Sequence, residues 1–425
     1  MSALAETGAL SFSPQKAAWQ KLASFFTAFG VFLSGFVISE PAPYELMMVA
    51  LIAVFFLCGL KISRTVAILL AALLIFNVGG LMSLTQMKDL TDGPIYMAVS
   101  IFLALTSVFY AAVIEDRHQR LEIMFTGWVI AALGTATLGI LGYFHAFPGA
   151  EQFTLYDRAK GAFQDPNVFG PFLVSPALYL IYGLLNGRPS MIPLRAAALL
   201  VIALGIFLSF SRAAWILFLF CAVMLVFIML MKQRSTAFRL KIMTLALLAA
   251  MLMAGGLAVA LQFKQVSELF SNRTKLVQDY DGGHLGRFER HRIGFRLSLE
   301  HPLGIGPLVF GKTLGEDEHN IWLKTLTSYG WLGFATFVTT VLASLLMGFR
   351  LLLRERPWQP FLMIAWTVVL GHVIIGNVID IDHWRHFYLL LGIIWGSIAL
   401  ENRWQRQRRG LSARTDLIPS FSAGR

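Results

Sequence analysis

Apolar runs of about 20 residues recur along nearly the whole chain, separated by short polar connections. Twelve such runs lie near 22–39, 45–60, 65–84, 94–114, 121–147, 167–186, 191–210, 212–231, 239–263, 331–353, 358–379 and 385–401. A run of this length crosses a bilayer as a helix, because no water is there to satisfy open backbone N–H and C=O groups. The pattern therefore predicts an all-α fold, a polytopic membrane bundle of about 12 transmembrane helices. One stretch breaks the rhythm: residues 264–330 are polar and carry helical spacing, which predicts a long helical loop. The expected organisation is an N-terminal segment 1–21, helices one to nine over 22–263, the loop 264–330, helices ten to twelve over 331–401, and a tail 402–425. The first run meets Glu40-Pro41-Ala42-Pro43 and no small-residue cleavage site, so it reads as a retained helix and not a signal peptide.

Composition agrees with the pattern. The 425 residues are 57% hydrophobic and 14% charged, whereas a soluble domain is about 25% charged. Cys58 and Cys221 both sit inside apolar runs, which excludes a disulfide framework in the polar loops and a Cys-based metal site. The net charge of +11 points to nucleic acid only until its placement is considered. Of the 35 Lys and Arg residues, 21 flank the runs on one side, five lie in short loops on the other, and nine lie in the long loop. Basic residues mark the cytoplasmic side. Both termini are then expected in the cytoplasm, with the loop on the periplasmic face of a bacterial inner membrane. Asn77 and His372 are the main polar residues inside the runs, which lowers the reading as an ion-coupled transporter.

This sorting isolates the polar groups expected at the loop face. Arg212, in Phe210-Ser211-Arg212-Ala213-Ala214-Trp215, is pinned between two runs with almost no loop. It reads either as a snorkelling anchor or as a bidentate donor to a lipid-linked phosphate. In Gly286-Arg287-Phe288-Glu289-Arg290-His291, the residues Arg287, Arg290, His291 and Gly294 share one helical face, while Phe288, Phe295 and Leu299 share another. This is either an interfacial helix on anionic lipid or part of a site. Asp317 or Glu318 is expected to start the next helix near its N-cap, placing His319 in the first turn at the membrane surface. His319 is then either a structural histidine or a base near pH 7. Arg158, Lys160, Asp165 and Asn167 surround an Asp-Pro-Asn turn. They are also suited to a sugar diphosphate. Asp380, Asp382, His383 and His386 read as interfacial caps and ion pairs, since their spacing fits no metal-site pattern.

Taken in order, Ser211-Arg212, Gly286-Arg287, His301-Pro302-Leu303-Gly304-Ile305-Gly306, His319-Asn320-Ile321-Trp322-Leu323 and Tyr329-Gly330-Trp331-Leu332-Gly333 resemble the O-antigen ligase and O-antigen polymerase family. The resemblance runs from about Gly161 to Trp395 and is densest from Arg287 to Gly333. It implies a membrane glycosyltransferase that works without metal or other cofactor and inverts the sugar linkage. The donor would be a glycan on undecaprenyl diphosphate, and the acceptor a lipid-linked repeat (polymerase) or the lipid A core (ligase). By position, Arg212 and Arg287 would bind the diphosphate and His319 would activate the acceptor hydroxyl. Arg158, Lys160, Asp165, Asn167, Arg290, His291 and Asn320 would contact substrate. The family often has an aromatic where this chain has His291, which leaves open whether His291 shares the role of His319. No motif reads the acceptor, so polymerase and ligase both stand. A flippase or exporter of lipid-linked glycan and a lipid-binding scaffold are the competing classes, and nucleic acid is not an expected partner.

Overall fold

The computed structural model describes residues 14–233, 235–274 and 286–415. Residues 1–13 of the expected segment 1–21, 275–285 of the loop 264–330 and 416–425 of the tail 402–425 lie outside the described residues, as do several side chains within helices, among them those of Arg287 and Phe288. Helices α1 (Pro14–Leu33), α2 (Pro43–Leu57), α3 (Arg64–Leu84), α4 (Gly93–Asp116) and α5 (Arg120–Tyr143) lead to an antiparallel hairpin, β1 (Thr154–Leu155) and β2 (Arg158–Ala159). Next come α6 (Pro166–Asn186), α7 (Ile192–Leu208), α8 (Arg212–Lys232) and α9 (Thr236–Ala260). Shorter helices follow: α10 (Lys264–Thr274), α11 (Arg287–Glu300) and α12 (Val309–Leu314). The last three are α13 (Ile321–Phe349), α14 (Gln359–Ile375) and α15 (Arg385–Thr415).

A helix lies over each of the twelve apolar runs. Among the described residues, seven helices are long and apolar enough to cross a membrane, and the protein is an all-α polytopic membrane protein. Two further apolar helices, Pro43–Leu57 and Gln359–Ile375, are shorter; at 1.5 Å per residue they span about 23 and about 26 Å. Two starts differ from expectation. α1 begins at Pro14 and carries Trp19 onto Phe55, with ring centroids 6.3 Å apart. α13 begins at Ile321, ten residues before the predicted apolar run, because a buried stretch of helix containing Lys324 and polar hydroxyls precedes it.

Packing is by close approach, since lipid gives apolar helices little reason to leave it. α4 runs along α15, and its inward face is small where they meet, with Ala104, Ser107, Ala111 and Ala112 buried. α3 runs along α13, α1 along α5, and α6 between α7 and α8. α13 is broken at Gly330, whose φ is 64°. The break is clamped by the turn before α12: Trp331 N–H donates to Pro302 O (3.0 Å), and Ile305 N–H donates to Thr327 O (2.7 Å). A Cβ on Gly330 would stand 2.6 Å from the Leu303 carbonyl carbon, and one on Gly304 2.7 Å from Thr327 O. The two glycine motifs of the sequence are thus halves of one joint. They place the short helical piece 321–329 in the bundle interior at its loop-bearing end.

Candidate functional site

The loop-bearing end collects the strained backbone of the molecule. All six non-glycine residues with positive φ among the described residues are there: His145, Tyr156, Asp157, Phe210, Leu308 and His319. Each costs about 1–2 kcal/mol relative to ordinary backbone, and such conformations persist where surrounding contacts fix them.

One corner of this end is cationic. The buried Arg158, on β2, donates from Nε to Ser209 O and from Nη2 to Asn167 Oδ1, both at 2.8 Å. Asp165 caps α6, its Oδ1 accepting from Asn167 N–H at 2.7 Å, and Pro166 occupies the first helical position. Ser211 caps α8, its Oγ accepting from Ala214 N–H. The left-handed residue Phe210 (φ 45°) turns the chain so that Arg212, half-buried, opens α8 at its N-terminus. Hydrogen bonds therefore join Arg158, Asp165 and Asn167 to the turn that presents Arg212. Lys160 is half-buried beside them, its backbone N–H on Phe153 O.

The loop helix α11 faces the start of α13. Arg287 is its first residue, with a side chain outside the described residues. Arg290 is buried and pairs with Glu316 at 2.5 Å. His291 Nε2 lies 2.9 Å from Glu318 O, and Gly294 packs on Leu323 and Phe310. Phe295 and Leu299 are exposed on a separate face, as the helical spacing predicts. The cap of α13 corrects the expectation: it is Asn320 and neither Asp317 nor Glu318. Asn320 Oδ1 accepts from Trp322 and Leu323 N–H, both at 3.1 Å, and its own N–H donates to Asp380 Oδ1 at 2.8 Å. His319 consequently stands before the helix and not in its first turn, with φ 48°. Arg290, His291 and Asn320, expected to contact substrate, all make contacts that hold the His319 segment.

Beside that segment is a cavity of about 250 Å³. Its walls include Tyr96, Phe163, Gln164, Asp165, Lys324 and Asp380, with Asp317, Asp382, His383, Trp384, Arg385 and Glu40 completing them. Lys324 is almost fully buried; its Nζ lies 3.3 Å from Glu318 and 3.4 Å from Asp317. Glu318 is buried as well, and its Oε1 accepts from Thr327 Oγ1 at 2.5 Å. Burial pushes the Asp380 carboxyl up to about 8, with Lys324 pulling the other way. Burial also holds the His383 imidazole below its usual range, so the ring is neutral at pH 7. His386 does not join this group. Its ring is buried beside His372 and Trp384, at 5.4 and 5.1 Å between centroids. No three His, Cys, Asp or Glu side chains among the described residues are placed to hold a metal ion.

Lys324 and the wall made by Asp382 and His383 are the parts that sequence reasoning missed. Lys324 was one loop base among nine. Helical spacing gave no signal for it, because residues 323–330 are buried on every side of the helix. Neither the curated proteins nor the solved structures contain a match to the chain. The family model described as O-antigen ligase matches residues 197–338, a third of the chain, which holds Arg212, Arg287, His319 and Lys324. Through that segment the chain is similar to the O-antigen ligase family.

Proposed function

We propose that the protein is an inner-membrane glycosyltransferase that moves a glycan from undecaprenyl diphosphate to a hydroxyl of an acceptor glycan on the periplasmic face. In this reading twelve helices cross the membrane, both termini are cytoplasmic, and residues 264–330 form the catalytic loop. The observation that carries it is that Arg212, Arg287 and His319 all fall inside the matched segment, with left-handed backbone at Phe210 before Arg212 and at His319 itself, both at one end of the bundle.

The chemistry follows from those positions. The acceptor O–H loses its proton to the His319 imidazole as its oxygen forms a bond to the donor's anomeric carbon. The bond from that carbon to the diphosphate oxygen breaks on the opposite face, which inverts the linkage. The leaving electron pair gives the diphosphate more charge than it held in the ground state. Fixed guanidinium groups of Arg212 and Arg287, with Arg158 bracing the Arg212 turn, stabilise that charge in the transition state. They supply the positive charge that a divalent ion would otherwise provide. Lys160 and Asn167 lie beside this corner and contact the donor. Polymerase and ligase share this step and differ only in the acceptor.

Reconstitution of the purified protein with undecaprenyl-diphosphate-linked oligosaccharide and an acceptor glycan tests the reading. Release of undecaprenyl diphosphate and a longer or newly attached glycan, without any ion gradient, are expected. Movement of the donor across the bilayer without release would mark a flippase instead.

A further inference from the structure

We infer that the cavity bounded by Lys324, Asp380, Asp382 and the Tyr96–His383 ring pair holds one neutral pyranose ring of the acceptor glycan. The inference rests on the glycosyltransferase reading for the word acceptor; the sugar site itself stands on the cavity.

Its size is the first argument. At about 250 Å³ it is smaller than a drug-sized pocket, which runs to roughly 300–1,000 Å³, and so takes about one ring. Its surfaces are the second. Tyr96 and His383 stack on one another with centroids 3.8 Å apart, so their facing sides are taken, and the open aromatic surface comes from Trp384, Phe163 and the outer sides of that pair. Such faces suit the C–H side of a sugar, while carboxylates accept from its hydroxyls.

Open hydrogen-bonding capacity is the third argument. Asp382 is 3% exposed. Its Oδ2 accepts from Tyr96 Oη at 2.5 Å and lies 3.4 Å from Tyr329 Oη. The printed hydrogen bonds of Asp382 all use Oδ2, and Asp382 lines the cavity. A carboxylate has two acceptor oxygens, so the second can receive a sugar hydroxyl.

Charge is the fourth argument. The two cations of the wall are already paired: Lys324 with Glu318 and Asp317, Arg385 with Glu45 and Glu40. That leaves Asp165 and Asp382, which repel a phosphate or a uronate, while Asp380, raised to about 8, is mostly protonated at pH 7 and offers a hydroxyl hydrogen bond instead. The diphosphate cannot share this cavity with the sugar and belongs at the cationic corner. Position is the last argument. Asp380 accepts from Asn320 N–H, the residue after His319, so the cavity wall and the His319 segment are joined by one hydrogen bond.

Saturation-transfer NMR on the purified protein, with methyl glucoside, galactoside, mannoside, N-acetylglucosaminide and glucuronide as probes, tests the sugar site without any transfer. At least one neutral pyranoside should receive saturation at pH 7, and the glucuronide should not. Asp382→Asn, which keeps the shape and the tyrosine contacts, should weaken binding about tenfold. Thermal melting confirms that the variant is folded, and Asp380→Asn provides a second variant. In the reconstituted reaction, Asp382→Asn should raise KM for the acceptor about tenfold and leave KM for the donor unchanged. Absence of binding by every neutral probe, equal binding of the glucuronide, or a rise in donor KM alone would overturn the inference. Pyranoside binding by a protein that shows no transfer would uphold the sugar site and refute the enzymatic reading.

Discussion

Two regions a short stretch of chain apart solve opposite electrostatic problems. On one side of residues 163–168, Arg158 is bound to Asn167 and to the Arg212 turn, so positive charge is fixed where α8 begins. On the other, Phe163, Gln164 and Asp165 line a cavity whose cations are already neutralised and whose free groups are acids. A transferase needs both: a place for a diphosphate that gains charge, and a place for a hydroxyl that must lose a proton. The comparison teaches that separating them takes only one capped helix start, because alternate residues of a turn face opposite sides. Asp165 holds Asn167 in place, and Asn167 holds Arg158.

The largest expected effect comes from the cationic corner. Arg212→Lys and Arg287→Lys should each lower the transfer rate by about 10²–10³-fold, since a point charge does not replace a planar fork. Acceptor KM should stay near wild type; a loss confined to acceptor binding would erase the distinction between the two regions. Next, Lys324→Met on the acidic side should cost about 3–5 kcal/mol in denaturant stability by stranding buried Glu318. Lys324→Met with Glu318→Gln should recover most of that loss, and an unrecovered double variant would mean that packing and not charge is responsible. Arg158→Lys should cost about 1–2 kcal/mol by giving up one of two hydrogen bonds. It should weaken donor binding without touching pyranoside binding. The smallest effect is on pH dependence. The folded Asp380 carboxyl titrates at about 8, above its ordinary 3.8, so its protonated form favours folding and that contribution is lost as pH rises through 8. Wild-type melting temperature should therefore fall between pH 4 and pH 8 more than that of Asp380→Asn. Parallel curves would place the carboxyl in water.

The helices and the gathering of polar groups at one end were legible in the sequence, because membrane spans need long apolar runs and basic residues sort to one side. The helical face of Arg290, His291 and Gly294 was legible for the same kind of reason, a period of 3.6. The acidic cavity was not. Its wall is built from Tyr96, Lys324 and Asp382, which sit on three helix starts far apart in sequence. Nothing local distinguishes Asp382 from an interfacial cap until Tyr96 is seen to donate to it. The apolar run stops at Trp331, while the helix extends back through a glycine break into a stretch that mixes Lys324 with buried threonines and starts at Ile321, a few residues after the expected Asp317 or Glu318. Asn320 outcompeted the neighbouring acids as cap because Asp380, 60 residues on, fixes its backbone N–H.

The most direct test of the account is the rate of undecaprenyl diphosphate release by His319→Ala in the reconstituted reaction, with pyranoside binding measured on the same sample. The account predicts a fall of about 10²–10⁴-fold with sugar binding intact. Release at the wild-type rate would contradict it.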